Sequence, residues 1–329
     1  MKLQLLNLVT KSNNTIKLAF IILFICLSTL YSCKSVPAEE KTLYTHFINQ
    51  QKNFSTTHGN IKYIDQGKSN KVILLLHGVP CSSWLYRKMI PQLVQKGYRV
   101  IAPDMLGYGN SDNPKGYDVY NNSSHAKRIL DLMDHLKIEH WHHVMHDAGG
   151  LWTWEIFKQA PDKIQKLTVL NSIVYPEGFF PPIRMKKGWF AKTAMWMYHN
   201  NITTNKMLNM FYEEALNKKS LLNEQEKWGY KKPLLQKKTR GMYYFFTQTC
   251  NDLPDYSSIF ENINIPVQFI WGKNDEILQI TPQLEHIKKG FKITNENIHL
   301  LDTKHLLQEE KPAEITALIH ALSLNADLD

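Results

Sequence analysis

The fold shows most clearly in His140-Trp141-His142-His143-Val144-Met145-His146-Asp147-Ala148-Gly149-Gly150-Leu151-Trp152. Val144 to His146 can close a buried strand, Gly149 and Gly150 permit tight backbone packing, and Leu151 to Phe157 is apolar enough for a core helix. Asp147 therefore stands on a sharp strand-to-helix turn. A nucleophile elbow exposes its side chain on such a turn, with a helix N-terminus behind it. The usual occupant is serine, and here it is a carboxylate.

Working outward, Val72-Ile73-Leu74-Leu75-Leu76 is a continuous apolar run, as expected of a parallel strand covered on both faces. An antiparallel hairpin is predicted before it, over 54–65, turning at His58-Gly59-Asn60. After it come a helix around 84–95, a strand over Tyr98 to Pro103, a glycine-rich loop through Gly107 and Gly109, a helix over 123–136, the elbow, and a strand over Lys166 to Asn171. This alternation predicts an α/β fold, a doubly wound, mostly parallel sheet. It stops at Tyr175-Pro176 and resumes at Ile265, with a last strand at Ile298 to Leu301 and a closing helix after Pro312. The helical, basic and aromatic residues in between read as an inserted cap. The expected organisation is a signal peptide over 1–32, a tether over 33–44, a core over 45–175 and 256–329, and a helical cap over 176–255.

The signal peptide is read from Leu18 to Leu27, an apolar run behind Lys11 and Lys17 that is too short to span a bilayer comfortably. Leu30-Tyr31-Ser32-Cys33 closes it and resembles a bacterial lipoprotein lipobox, in which the cysteine is acylated, although Tyr31 is larger than that motif normally carries. The expectation is an exported lipoprotein held on the membrane through Cys33, facing the periplasm or the cell surface; an uncleaved anchor or a plain signal peptide is the alternative. Cys81 and Cys250 then remain in the mature chain, as one disulfide or as two packed thiols. Nothing in the sequence brings them together, so separate thiols are the favoured reading.

The net charge of +9 is concentrated between Arg184 and Arg240, where thirteen Lys/Arg face four Glu. No nucleic-acid motif accompanies it, so no nucleic-acid partner is expected. The favoured reading is a solvated basic surface, and the other is a face turned to an anionic membrane. His140, His142, His143 and His146 lack a matching carboxylate or cysteine cluster, so no metal site is expected, and no cofactor.

Asp147, Asp275 and His305 form a nucleophile, acid and base in chain order, each just after a predicted strand. With these residues stand His77-Gly78-Val79-Pro80, Ser83-Trp84-Leu85-Tyr86-Arg87-Lys88-Met89-Ile90-Pro91, Ala102-Pro103-Asp104, Gly107-Tyr108-Gly109-Asn110-Ser111-Asp112, and His305-Leu306-Leu307-Gln308-Glu309-Glu310. From about residue 60 to the C-terminus, apart from the cap, the chain resembles the α/β-hydrolase superfamily. Within it the likeness is to the branch of haloalkane dehalogenases and epoxide hydrolases that use an aspartate nucleophile. A carboxylate can displace a leaving group from saturated carbon and become an ester that water then cleaves.

The resemblance implies that Asp147 attacks, that His305 activates the water under the control of Asp275, and that the backbone N–H groups of Val79 and Ala148 form the oxyanion hole. It also implies a cis Val79–Pro80 peptide. Dehalogenases place tryptophan directly after the nucleophile and often a polar residue after the His-Gly pair, to hold the halide. Ala148 and Val79 occupy those positions here, so any halide donor has to come from the cap, with Trp189, Trp196 and Trp228 as candidates. Epoxide hydrolases use cap tyrosines as acids. Tyr230 resembles such a position, with Tyr198, Tyr212, Tyr243 and Tyr244 as further candidates. The expected activity is cleavage of a carbon–halogen or epoxide C–O bond in a small apolar substrate. A receptor-like member without catalysis and an acyl-ester hydrolase are the alternatives.

Overall fold

The computed structural model describes residues 42–325. The signal segment 1–32 and Cys33 lie outside the described residues. The tether was expected to reach residue 44, but helix α1 (Thr42–Ile48) already begins at Thr42. Tyr44 and Phe47 both meet the Trp84 ring edge-on at centroid distances of 5.2 and 5.1 Å. Burial of these two rings stabilises the turn of helix that composition alone assigned to a linker.

Eight strands form one sheet in the order β1-β2-β4-β3-β5-β6-β7-β8. They are β1 (Lys52–Thr56), β2 (Gly59–Gln66), β3 (Val72–Leu76), β4 (Arg99–Asp104), β5 (Trp141–Asp147), β6 (Ile164–Ser172), β7 (Val267–Gly272) and β8 (Ile298–Leu301). The hairpin pairs antiparallel and adds antiparallel to β4, and every later pairing is parallel. All of β3, β5 and β7 is buried; β3 reads as an unbroken apolar run, whereas β5 and β7 carry His142, His143 and Gln268, which are hydrogen-bonded inside the fold.

The helix expected over 84–95 is two pieces, a 3-10 turn at Ser83–Tyr86 and α2 (Ile90–Gln95). Pro91 has no N–H to donate and fits only a first turn, so the helix restarts there. Helix α3 (Asn122–His135) carries a side-chain cap from Asn121, and α4 (Gly149–Gln159) follows the elbow and is buried through Phe157. Between β6 and β7 the chain runs through α5 (Trp189–Trp196), α6 (Asn201–Ala215) and α7 (Glu224–Leu235), the last opened by a reciprocal cap between Asn223 and Glu226. Helix α7 lies hard against the core, because Trp84 Nε1 donates to the Glu226 carbonyl at 3.0 Å and a Cβ at Gly229 would strike the Trp84 ring. Helix α8 (Pro312–Asn325) closes the chain. Cys81 and Cys250 are separate buried thiols. Among the described residues no helix is long and apolar enough to cross a membrane.

Candidate active site

Asp147 ends β5 with φ at +53°, a left-handed conformation that only a tightly held turn imposes on a non-glycine residue. Two bonds hold that turn: Ser172 Oγ donates to the Asp147 carbonyl at 2.8 Å, and the Ile173 N–H donates to the same oxygen at 3.2 Å. The carboxylate accepts from the Val79 N–H at 2.8 Å and from the Ala148 N–H. Gly78 makes this approach possible, since a Cβ there would collide with Asp147 Cβ and Oδ2. The Val79–Pro80 peptide is cis.

His305 follows β8 and Asp275 follows β7. His305 Nδ1 lies 2.9 Å from Asp275 Oδ2, and Nε2 lies 3.7 Å from Asp147 Oδ1. Asp275 Oδ1 accepts from the N–H groups of Ile277 and Leu278 at 2.9 and 3.1 Å. The structure thus brings together Asp147, Asp275, His305, Val79 and Ala148, all expected from sequence.

Burial pushes the Asp147 carboxyl above its ordinary value, opposed by the His305 charge and the two backbone N–H groups. Burial alone would lower His305, but the charge and hydrogen bond of Asp275, with Asp147 behind, carry it above its ordinary value.

Asn171, which sequence reasoning left without a role, and His146, read only as part of the elbow motif, complete the support. Asn171, at φ +28° near the end of β6, donates through Nδ2 to Asp275 Oδ2 at 2.8 Å and to the His305 carbonyl at 3.2 Å. Its Oδ1 accepts from the Gly272 N–H at 2.8 Å, so one amide ties three loop ends together. His146 Nε2 donates to the His305 carbonyl at 3.0 Å, because a carbonyl can only accept. Burial, with the His305 charge, holds His146 well below its ordinary value, so it is neutral. The sequence signal for Asn171 was a polar residue closing an apolar strand beside the elbow. His142 and His143 are pushed by burial down to about 3 and bond Ser323 with Thr168, and Trp141 with Thr153, respectively.

A cavity of about 270 Å³ opens above this group, floored by Val79, Pro80, Asp147 and His305. Asp147, His305, Tyr198 and Glu214 are the polar side chains in its lining, and apolar groups such as Phe179, Met195, Leu208, Phe245 and Ile277 make the rest. Burial pushes the Tyr198 phenol up to about 12, which keeps its proton in place at neutral pH.

The other leaving-group candidates stand elsewhere. Tyr230 is a correction: it is buried, does not line the cavity, and gives its hydroxyl to Glu309. Arg87 and Lys88 bind both Glu309 and Glu226 around it, so the phenol serves a buried ionic cluster that sequence could not place beneath α7. Trp189 and Trp196 are exposed on α5, at 77% and 57%, and neither they nor Trp228 line the cavity. Among the described residues no tryptophan lines the cavity.

A family model described as alpha/beta hydrolase fold matches residues 71–312. A haloalkane dehalogenase of Mycolicibacterium paratuberculosis is 27% identical over 271 residues, covering 78% of this chain and 85% of that one. Among solved structures, an ancestral haloalkane dehalogenase superposes with a TM-score of 0.63 at 21% identity, covering 84% of this chain and all of that one. An epoxide hydrolase of Vigna radiata superposes at 0.65 and 18% identity, covering 84% of this chain and 98% of its own.

Proposed function

The chain belongs to the alpha/beta hydrolase fold family and is a hydrolase, similar to haloalkane dehalogenases, and from that premise we propose that it works through an alkyl ester on Asp147. The observation that carries the reading is a carboxylate, not a hydroxyl, at the elbow, bound by two N–H groups and facing His305. The Asp147 carboxylate attacks a saturated carbon of an apolar substrate, and the bond from that carbon to its leaving group breaks. His305 Nε2 then takes a proton from a water that attacks Asp147 Cγ. The resulting oxyanion is stabilised by Val79 and Ala148 N–H. Collapse breaks the ester Cγ–O bond, and the product oxygen, which came from the Asp147 carboxylate, takes its proton from the His305 imidazolium. Asp275 keeps Nδ1 protonated and favours the imidazolium.

The lining favours an epoxide as substrate. The opening alkoxide takes the Tyr198 proton, and the Asp147 carboxylic acid left after hydrolysis returns one to the phenolate, so the cycle consumes epoxide and water and yields a diol. Halide displacement is the second reading, favoured by the likeness to the mycobacterial dehalogenase. Turnover of terminal epoxides and of bromoalkanes by the purified chain separates the two, and activity on neither removes the proposal.

We also propose export and anchoring through a lipid on Cys33. Growth with labelled palmitate and recovery of label in wild type but not in Cys33→Ser tests it; label in both removes it.

A further inference from the structure

We propose that the outer face of α5 docks onto an anionic bilayer, with the mouth of the catalytic cavity opening into that face. Trp189, Lys192 and Trp196 follow the three-and-four spacing of one helical side, and all three are exposed. The opposite side of the same helix buries Ala191 and Met195, and Ala194 and Met195 line the catalytic cavity. The helix is therefore a thin wall with substrate space behind it and two solvent-facing indoles in front.

Large exposed indoles cost free energy in water and are stabilised at the headgroup boundary, where the ring sits among lipid and the N–H meets water. Ile183 and Met210 are cavity-lining residues that are also 40% and 56% exposed, so the mouth continues the apolar surface. Glu214 is the acid in that lining, and the cations outnumber it: Lys186, Lys187 and Lys192 lie on or just before α5. Beside the helix, Lys115, Lys192 and Arg240 line a second cavity of about 240 Å³ with Tyr117 and Tyr243, a setting suited to a phosphate headgroup.

The chain's start points the same way. Helix α1 packs on α7, within the segment between β6 and β7. Eight residues separate Cys33 from Thr42, reaching at most about 30 Å even when extended. A lipid on Cys33 would therefore lie within that reach of α1 and α7, and α7 also contacts the 3-10 turn Met197–His199 that continues α5. An apolar substrate dissolved in the membrane would then enter the cavity without crossing water. The docking surface stands independently of the ester on Asp147.

The test uses the full chain reconstituted in phosphatidylcholine vesicles with or without phosphatidylglycerol. Trp189→Cys, Trp196→Cys and Leu300→Cys are each labelled with an environment-sensitive dye, with the unsubstituted chain as background; Leu300 is 53% exposed on β8 and serves as the reference surface. Brominated lipids should quench the dye at 189 and 196 several-fold more than at 300. Adding Lys186→Glu and Lys192→Glu should reduce that quenching on anionic vesicles and leave neutral ones unchanged. Equal quenching at all three positions overturns the proposal. So does shielding of position 189 from aqueous iodide without lipid quenching, together with a doubled mass in detergent, since a second copy would then cover the face.

Discussion

The His305 ring is bonded to Asp275 at 2.9 Å through Nδ1 and stands 3.7 Å from the Asp147 carboxylate through Nε2. One nitrogen is committed and the other is beyond hydrogen-bond range of the group it faces. In the proposed mechanism the base accepts from water and not from Asp147, and that freedom serves it. As proposed, the second step uses His305 and the first does not, so His305→Ala should accumulate the ester. Intact-protein mass spectrometry should show one added substrate equivalent, with turnover reduced by about 10²–10⁴-fold. Asp147→Ala should show neither adduct nor turnover.

The pH profile follows from the same ring. His305 must be neutral to accept a proton, and its affinity for protons is raised above the ordinary 6.5, so activity should fall as pH drops through a value above 6.5. Asp275→Asn removes the main source of that rise. Its acidic limb should move to lower pH even as its maximal rate falls, and an unmoved limb would assign the titration to another group.

Two tyrosines should behave in opposite ways. Tyr198→Phe removes the hydroxyl of a cavity-lining residue and should slow epoxide opening by about 10²–10⁴-fold, with bromoalkane turnover little changed. Tyr230→Phe should leave both rates within a few-fold. It strips a hydrogen bond from the buried Glu309 carboxylate and should lower stability by about 1–3 kcal/mol in denaturant titration.

Arg87 joins α7 to the helix turn just after His305. Its Nη2 donates to Glu226 Oε1 at 2.8 Å and to Glu309 Oε2 at 2.9 Å, and the Glu309 side chain is fully buried. Arg87→Met would leave that charge with Lys88 and the Tyr230 hydroxyl. A loss of roughly 3–5 kcal/mol in unfolding free energy is expected. The double variant Arg87→Met with Glu309→Gln should recover part of it.

The parallel sheet was legible most plainly from Val72 to Leu76, because a strand covered on both faces favours an unbroken apolar run; β5 and β7 are equally buried but carry His142, His143, His146 and Gln268, whose hydrogen-bond partners lie elsewhere in the fold. The elbow carboxylate at Asp147, the order Asp147, Asp275, His305, and the lack of a side-chain donor at Ala148 can all be read along the chain. Each depends on local turn chemistry or on residue identity alone.

Which side chains between β6 and β7 meet the cavity is set by how the helices pack in three dimensions. Tyr198 and Tyr230 have the same chemistry, and helical periodicity does not say which helix side faces Asp147 or which faces Arg87 and Glu309. The two exposed indoles of α5 were likewise invisible as such, since tryptophan on a helix normally signals core. Asn171 acquired its role through contacts 104 and 134 residues away, with Asp275 and His305. Pairings across such distances come from the order in which strands enter the sheet, and no local pattern carries that information.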